Sequence, residues 1–340
     1  MSADAVQRSP AMTDVARLAG VSHQTVSRVL NKHPYVSAAT RGRVLSAIEE
    51  LGYHPNAAAR ALATGRSHTI GLVTLDSTLY GPVATLYGIE RAARSAGYYV
   101  SVVSLRAHDL TSLQDALRRL NEQAVAGVIL IAPLPPAFDA LAELPEQLPL
   151  VVVEGDPKAA LPAVTVDQQA GARLATEHLL ELGHRTVHHV AGPRDWTEAR
   201  ERIVGWRSAL AAAKRPIPRI VRGDWSAKAG FDAARQLLDD GATAVFSAND
   251  TMALGLLRAL HELGRRVPGS ISIVGFDDLP ECEYFIPPLT TVRQDFDDAG
   301  RHCMELFVAQ AASGTRGATR IVIQPKLVVR ASTARAGSAT

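Results

Sequence analysis

The sequence predicts two parts of different class: a small all-α helix-turn-helix headpiece, then an α/β core of two doubly wound parallel-sheet lobes. Three observations carry this. Short helical patterns punctuated by glycine fill the first 66 of the 340 residues. From His68 onward, short apolar strand runs alternate with helical patterns, the texture of parallel sheets covered on both faces. Charge divides at the same place. Residues 1–66 hold eight basic side chains against four acidic ones, and the rest hold 28 against 30, although the whole chain is only +2. A basic excess confined to one small part suggests a polyanionic partner for that part.

In the headpiece, residues 1–10 are polar and expected to be disordered. Val15, Leu18 and Ala19 fall at i, i+3, i+4 and mark one face of a first helix. Gly20 breaks it where a left-handed backbone is tolerated. Ser22 can cap a second helix with Val26, Val29 and Leu30 on its inner face. A third starts near Ser37, buries Val44, Leu45, Ile48 and Leu51, and ends at Gly52. The first two helices, set around Gly20-Val21-Ser22, have helix-turn-helix spacing, in which the second enters the major groove of DNA. Ser22, His23, Gln24 and Thr25 lead it, Ser27 and Arg28 follow one turn on, and Asn31 lies at its end. Glutamine can pair bidentately with adenine and arginine with guanine.

Asn56 is a candidate N-cap and Gly65 a stop for the alanine-rich stretch between them. A helix of about eight residues is marginal alone in water, so this segment should fold only when held.

The core of about 265 residues is long enough for two sheets with a cleft between them. Strands are expected at Ile70–Leu75, Tyr98–Leu105, Gly127–Ile131, Leu150–Val153, Val187–Ala191, Ala244–Ser247 and Ile271–Phe276. Helices are expected at Asp167–Leu182, Glu198–Ala213, Ala227–Leu238 and Thr251–Leu263, among others. Ligands in such folds bind beyond the carboxyl ends of strands. Asn249 and Asp250 follow the strand AVFS, and Asp277 and Asp278 follow SIVGF. Both pairs fall at the expected lip of the cleft; Arg202, Asn249 and Asp277 can supply the bidentate polar groups that vicinal hydroxyls need, and Trp225 and Phe296 apolar faces for a sugar ring.

His184, His188 and His189 do not make a metal site, because successive strand residues point to opposite faces. P-loop, GxGxxG, GxSxG and HExxH signatures are absent, so neither an enzyme nor a cofactor is expected. The two cysteines, Cys282 and Cys303, show no disulfide-framework spacing. No apolar signal region opens the sequence and no apolar run approaches 18 residues, so a cytoplasmic protein without membrane contact is expected.

Two stretches carry a resemblance. TDVARLAGVSHQTVSRVLN and VSAATRGRVLSAIEELGYHPNAAARALATG, gap-free over about 55 residues, resemble the headpiece and hinge of the LacI-type family of transcription regulators. The likeness continues through AGPRDWTEARERIVGW, GDWSAKAGF, SANDTMALG, SIVGFDD and YFIPPLTTVRQDF to about Arg330. It implies a periplasmic-binding-protein-like core and a repressor that a sugar releases from a palindromic operator. A galactoside-like effector is favoured; another sugar, or corepression, stays open. It further implies that His23, Gln24 and Arg28 read the major groove. The hinge helix would run from Asn56 through Ala59, with Leu62 wedged into the minor groove, where an apolar side chain unstacks a base step. In the core it assigns Arg202, Trp225, Asn249 and Asp277 to the effector. Leu79 and Pro82 form an apolar wall, Glu154 accepts a sugar hydroxyl, and Gln294 and Phe296 complete the set. Leu75 and Ile131 are apolar where the resembled proteins have small polar contacts.

A homodimer is implied, since two headpieces are needed for useful affinity on a palindrome. The sequence ends VVRASTARAGSAT without a leucine heptad, so a dimer rather than a tetramer is expected. The resulting divisions are 11–55 headpiece, 56–66 hinge helix and linker, and 67–332 core. Within the core the N-lobe takes about 68–166 and 297–324, and the C-lobe about 167–296 and 325–332. Residues 333–340 are expected to be a disordered tail. Rival readings are an exported sugar-binding protein, a sugar-modifying enzyme and a purine-type corepressed regulator.

Overall fold

The computed structural model describes residues 10–30, 33–53, 67–75, 78–105, 109–131, 141, 144–154 and 160–337. The chain divides into two compact units, Met1–Ser67 and His68–Thr340. Asn31, the proposed hinge with Asn56, Ala59 and Leu62, and residues 1–9 lie outside the described residues.

The first unit contains α1 (Met12–Ala19), α2 (His23–Leu30) and α3 (Ala38–Leu51). Gly20, at φ 62°, lets α1 close with its N–H on the carbonyls of Ala16 and Arg17. The Ser22 hydroxyl accepts from the Thr25 N–H at 3.2 Å and starts α2. Ser37 does the same for α3 through the Thr40 N–H. Val15, Ala16, Ala19, Val26, Val29, Val44, Ala47 and Tyr53 form the core. Two expected core residues are outside it: Leu18 is 45% exposed and Leu45 51% exposed. In a bundle this small the inner face of each helix is about one side chain wide. Val15 with Ala16 and Ala19 fills it on α1, and Val44 with Ala47 on α3, so Leu18 and Leu45 are turned to the flanks.

The second unit begins with β1 (Thr69–Leu75), α4 (Tyr80–Ser95), β2 (Tyr99–Leu105), α5 (Leu110–Glu122), β3 (Val128–Ile131), β4 (Leu150–Val153) and β5 (Ala163–Val166). Then follow α6 (Gln168–Glu181), β6 (His188–Ala191), α7 (Thr197–Ala212), β7 (Val221–Arg222), α8 (Ala227–Asp239), β8 (Ala244–Ser247), α9 (Asp250–Glu262), β9 (Ser272–Asp277) and β10 (Thr290–Arg293). It ends with α10 (Phe296–Ser313), β11 (Arg320–Ile323) and β12 (Lys326–Val328).

Two six-stranded sheets result, ordered β11-β5-β4-β3-β1-β2 and β12-β10-β9-β8-β6-β7. The first is parallel throughout; in the second only β12 runs antiparallel, against β10. The inner strands β3, β4, β5, β6 and β8 are buried at every position. Such strands read as continuous apolar runs because helices cover both faces. The chain passes between lobes three times, after β5, after β10 and after β11, so each lobe is discontinuous in sequence.

In the N-lobe, α4 and α10 cross with Gly88 against Gly300. A Cβ on either would overlap the backbone of the facing helix. Beyond β12 the chain departs from the disordered tail expected for 333–340. The Ala334 N–H bonds the Ser272 hydroxyl at 3.1 Å, the Thr333 hydroxyl lies 3.0 Å from the His178 ring, and the Ala336 N–H reaches the Leu182 carbonyl. Composition suggested disorder because these side chains are small and polar. Their backbone groups nevertheless complete hydrogen bonds that the C-lobe leaves open.

Candidate functional site

The carboxyl ends of strands from both lobes converge on one cavity of about 780 Å³, its open mouth included. All nine residues singled out from the sequence line it: Leu79, Pro82, Glu154, Arg202, Trp225, Asn249, Asp277, Gln294 and Phe296. Leu79 and Pro82 come from the turn into α4, and Glu154 directly follows β4. Asn249 follows β8, Asp277 ends β9, and Gln294 follows β10. Three of them, Glu154 (φ 55°), Trp225 (φ 75°) and Asp277 (φ 117°), hold a left-handed backbone without being glycine. Such conformations cost roughly 1–3 kcal/mol each and collect where a side chain must be aimed at a ligand.

Other expectations separate. Asp250 and Asp278 are not on the wall. The Asp250 carboxylate accepts from the Thr291 hydroxyl at 2.6 Å and from the Leu279 N–H at 3.0 Å. Asp278 pairs with Arg293 and, at 2.8 Å, with Arg330. Leu75 is packed in the N-lobe core and does not reach the cavity, whereas Ile131 does. Asn249 has a structural task as well: its Oδ1 caps α9 on the Met252 N–H, and its Nδ2 donates to the Trp225 carbonyl at 3.1 Å.

Arg202, 5% exposed, is the hub. Its Nε donates to Gln168 Oε1 at 2.8 Å and a terminal nitrogen donates to the Ala248 carbonyl. The other lies 3.8 Å from Asp277 Oδ1. The guanidinium carbon sits 3.8 Å from the Phe276 ring centre and 5.6 Å from that of Trp225. A chain of side-chain bonds then runs across the interlobe crossings. Gln168 Nε2 donates to Gln294 Oε1 at 2.9 Å, and Gln294 Nε2 donates to Asp277 at 2.7 Å. Glu154 Oε1 takes the Val166 N–H at 2.9 Å. Each lobe adds an edge-to-face aromatic pair: Tyr80 with Phe296, and Trp196 with Trp225. Gly192 makes room for the Trp225 ring, which a Cβ there would strike.

Sequence reasoning missed Gln168, Glu198, Trp196 and Tyr80. Glu198 stands four residues before Arg202 on α7, hence on the same helix face, and that spacing was a usable signal. Gln168 sits just past the end of β5, as the found residues do on their strands. Burial pushes the carboxyls of Glu154 and Glu198 up, Glu154 to about 8 with the charge of Glu198 adding to it. Burial also raises Asp277, with Arg202 pulling against it.

The three histidines do not converge. His184 bonds the Thr243 and Ser272 hydroxyls, both at 3.1 Å, and among the described residues no cluster could hold a metal. His189 is stacked on Phe246, with Nδ1 2.9 Å from the Phe246 carbonyl, and burial drives its pKa down to about 3. A folded pKa below the unfolded value of about 6.5 gives stability that is complete above pH 6.5 and lost as pH falls. Urea unfolding of wild type and His189→Leu at pH 7.5 and 5 should therefore show the difference moving by about 2 kcal/mol in favour of the variant.

In the headpiece, Ser22, just before α2, and His23, Gln24 and Arg28 on it are exposed, and Thr25 and Ser27 are half-buried. A helix-turn-helix unit joined to a two-lobed α/β core with a polar and aromatic interlobe cavity defines a ligand-responsive DNA-binding regulator. Residues 11–56 match the description "Bacterial regulatory proteins, lacI family", and residues 176–333 match "Periplasmic binding protein-like domain". The chain is 38% identical to the lactose operon repressor of Escherichia coli (strain K12) over 312 residues, 89% of this chain and 86% of that one. It is 35% identical to the ribose operon repressor of the same strain over 328 residues, 94% of this chain and 99% of that one. Its fold superposes on the Lac repressor dimer bound to operator and the anti-inducer ONPF with a TM-score of 0.86 at 35% identity, covering 96% of this chain and 100% of that one. The chain belongs to the lacI family of bacterial regulatory proteins. Among the described residues no helix is long and apolar enough to cross a membrane.

Proposed function

We propose that the chain is a cytoplasmic, homodimeric repressor that binds a palindromic operator and is released by a sugar held in the interlobe cavity. The observation that carries this is the meeting, on one cavity wall, of a buried guanidinium, amide and carboxylate groups, and aromatic pairs from both lobes. Vicinal hydroxyls take the first set and the apolar ring face the second. A galactoside is one option. Ile131 and Glu154 make the N-lobe wall apolar in one place and acidic in another, so the sugar is selected by this chain's own wall. The cavity senses its sugar without converting it, and sugar recovered from the complex should be unchanged.

On the DNA side, Ser22, His23, Gln24, Thr25, Ser27, Arg28 and Asn31 contact the operator, with Asn56, Ala59 and Leu62 in the connector. Effector binding draws on groups of both lobes, and the Gln168–Gln294 bond ties two interlobe crossings to that wall. Coupling of this kind is typically about 1–3 kcal/mol and reciprocal, so operator DNA should weaken sugar binding by the same factor. A thermal-shift panel of sugars and purines, followed by a gel shift with and without the hit, tests the reading. A purine that raises the melting temperature and tightens DNA binding would overturn it. Gln24→Ala should reduce the preference for operator over random duplex by about 1–3 kcal/mol per contacted base pair, with little change in the salt slope, because it removes a base contact and no phosphate contact. Competition gel shifts at two salt concentrations read both quantities.

A further inference from the structure

On the cavity wall the carboxyl groups outnumber the cations. Among the described residues it carries three carboxyls, of Glu154, Glu198 and Asp277, and one cation, Arg202. Arg202 is committed to Gln168, the Ala248 carbonyl and Asp277. Among the described ion pairs, Arg202 meets Asp277 and Arg330 meets Asp278. Two polar atoms on the same wall also lack partners. Glu198 Oε2 is buried without a hydrogen bond, and so is the indole Nε1 of Trp225, a residue only 5% exposed. A buried acceptor without a donor is costly, and burial holds the Glu154 and Glu198 carboxyls above their usual range, so a cation placed between them would favour their ionised form.

We propose that the effector is an amino sugar whose protonated primary amine sits between Glu154 and Glu198, with its ring against Trp225 and Phe296. This rests on the reading of the cavity as a sugar site. The ammonium group supplies three donors and one positive charge. Glu198 Oε2 takes one donor, and Glu154, whose Oε1 already accepts from Val166 and from Gln168 at 3.4 Å, takes another. A ring hydroxyl accepts from Trp225 Nε1. Glu154 and Glu198 also line an adjoining recess together with Glu201 and Arg320.

Calorimetric titration of the full chain at pH 7 with galactosamine, glucosamine, galactose, glucose and the two N-acetylated amines tests this. One amine should bind at least tenfold more tightly than both its neutral parent and its acetylated form. Glu198→Gln and Glu154→Gln should each cost that amine at least tenfold more than they cost the neutral parent. Equal binding of amine and parent, tighter binding of the acetylated form, or unchanged amine affinity in both variants would overturn the proposal while leaving the sugar reading in place. If no carbohydrate of the panel binds, the sugar reading itself falls.

Discussion

Arg202→Leu should abolish the sugar-induced rise in melting temperature and lower the stability of the core by about 3–5 kcal/mol. Both effects come from one side chain because Arg202 is at once a wall of the cavity and the cation of a buried network. Its removal leaves Gln168 Oε1 and the Ala248 carbonyl without their donor, and Asp277 without its opposite charge. Leucine matches much of the volume, so the loss is mainly electrostatic and of hydrogen bonds. Arg202→Lys separates the two roles. It keeps the charge near Asp277 but lacks the planar fork that reaches Gln168 and Ala248 together while standing over the Phe276 ring. The lysine variant should recover part of the stability and little of the sugar affinity. Urea unfolding and calorimetric titration read the two separately. A full thermal shift in Arg202→Leu would show that the effector binds elsewhere.

Much of this site is legible in the sequence because strand ends are legible. AVFS and SIVGF are apolar runs with polar residues immediately after them, and in a parallel sheet those residues stand at the carboxyl edge. The rule locates the neighbourhood but cannot divide the pairs. Asn249 and Asp277 reach the cavity, while Asp250 and Asp278 turn back to bind Thr291, Arg293 and Arg330. In the second pair the division goes with the positive φ at Asp277 and Asp278, and the residue letters do not encode that. Trp225 is assigned to the sugar by its residue type and by the resemblance, but the space above Gly192 that seats its ring is not encoded in the letter. In the headpiece the caps at Ser22 and Ser37 and the stops at Gly20 and Gly52 are readable from local chemistry. The exposure of Leu18 and Leu45 is not, because it depends on how little surface three short helices can cover. Residues 333–336 mislead for the complementary reason: composition reports side chains, and apart from the Thr333 hydroxyl the bonds described for this segment are made by its backbone.

Gly300→Val should destabilise the N-lobe by more than about 3 kcal/mol, at or beyond the upper end of ordinary overpacking, and weaken sugar binding as well. A Cβ at position 300 would overlap the carbonyl group of Gly88 and the amide of Ile89. Those are backbone atoms of α4, so no rotamer change relieves the overlap and the helices must separate. Separation is felt in the cavity because both helices begin there. Tyr80 opens α4, Phe296 opens α10, and their rings meet edge to face at 5.7 Å. Moving α10 outward therefore withdraws the aromatic face proposed for the sugar ring. Gly42 is the control. It lies inside α3, where an added Cβ would meet no atom within 4 Å, and its φ is not positive. Gly42→Ala should stabilise the headpiece by about 0.5–1 kcal/mol through the lower backbone entropy of alanine. Calorimetric melting of both variants, with and without sugar, distinguishes a glycine kept for helix contact from one that is merely tolerated. If Gly300→Val melts like wild type, the crossing of α4 and α10 is looser than its geometry requires, and Phe296 is held in the cavity by something other than that contact.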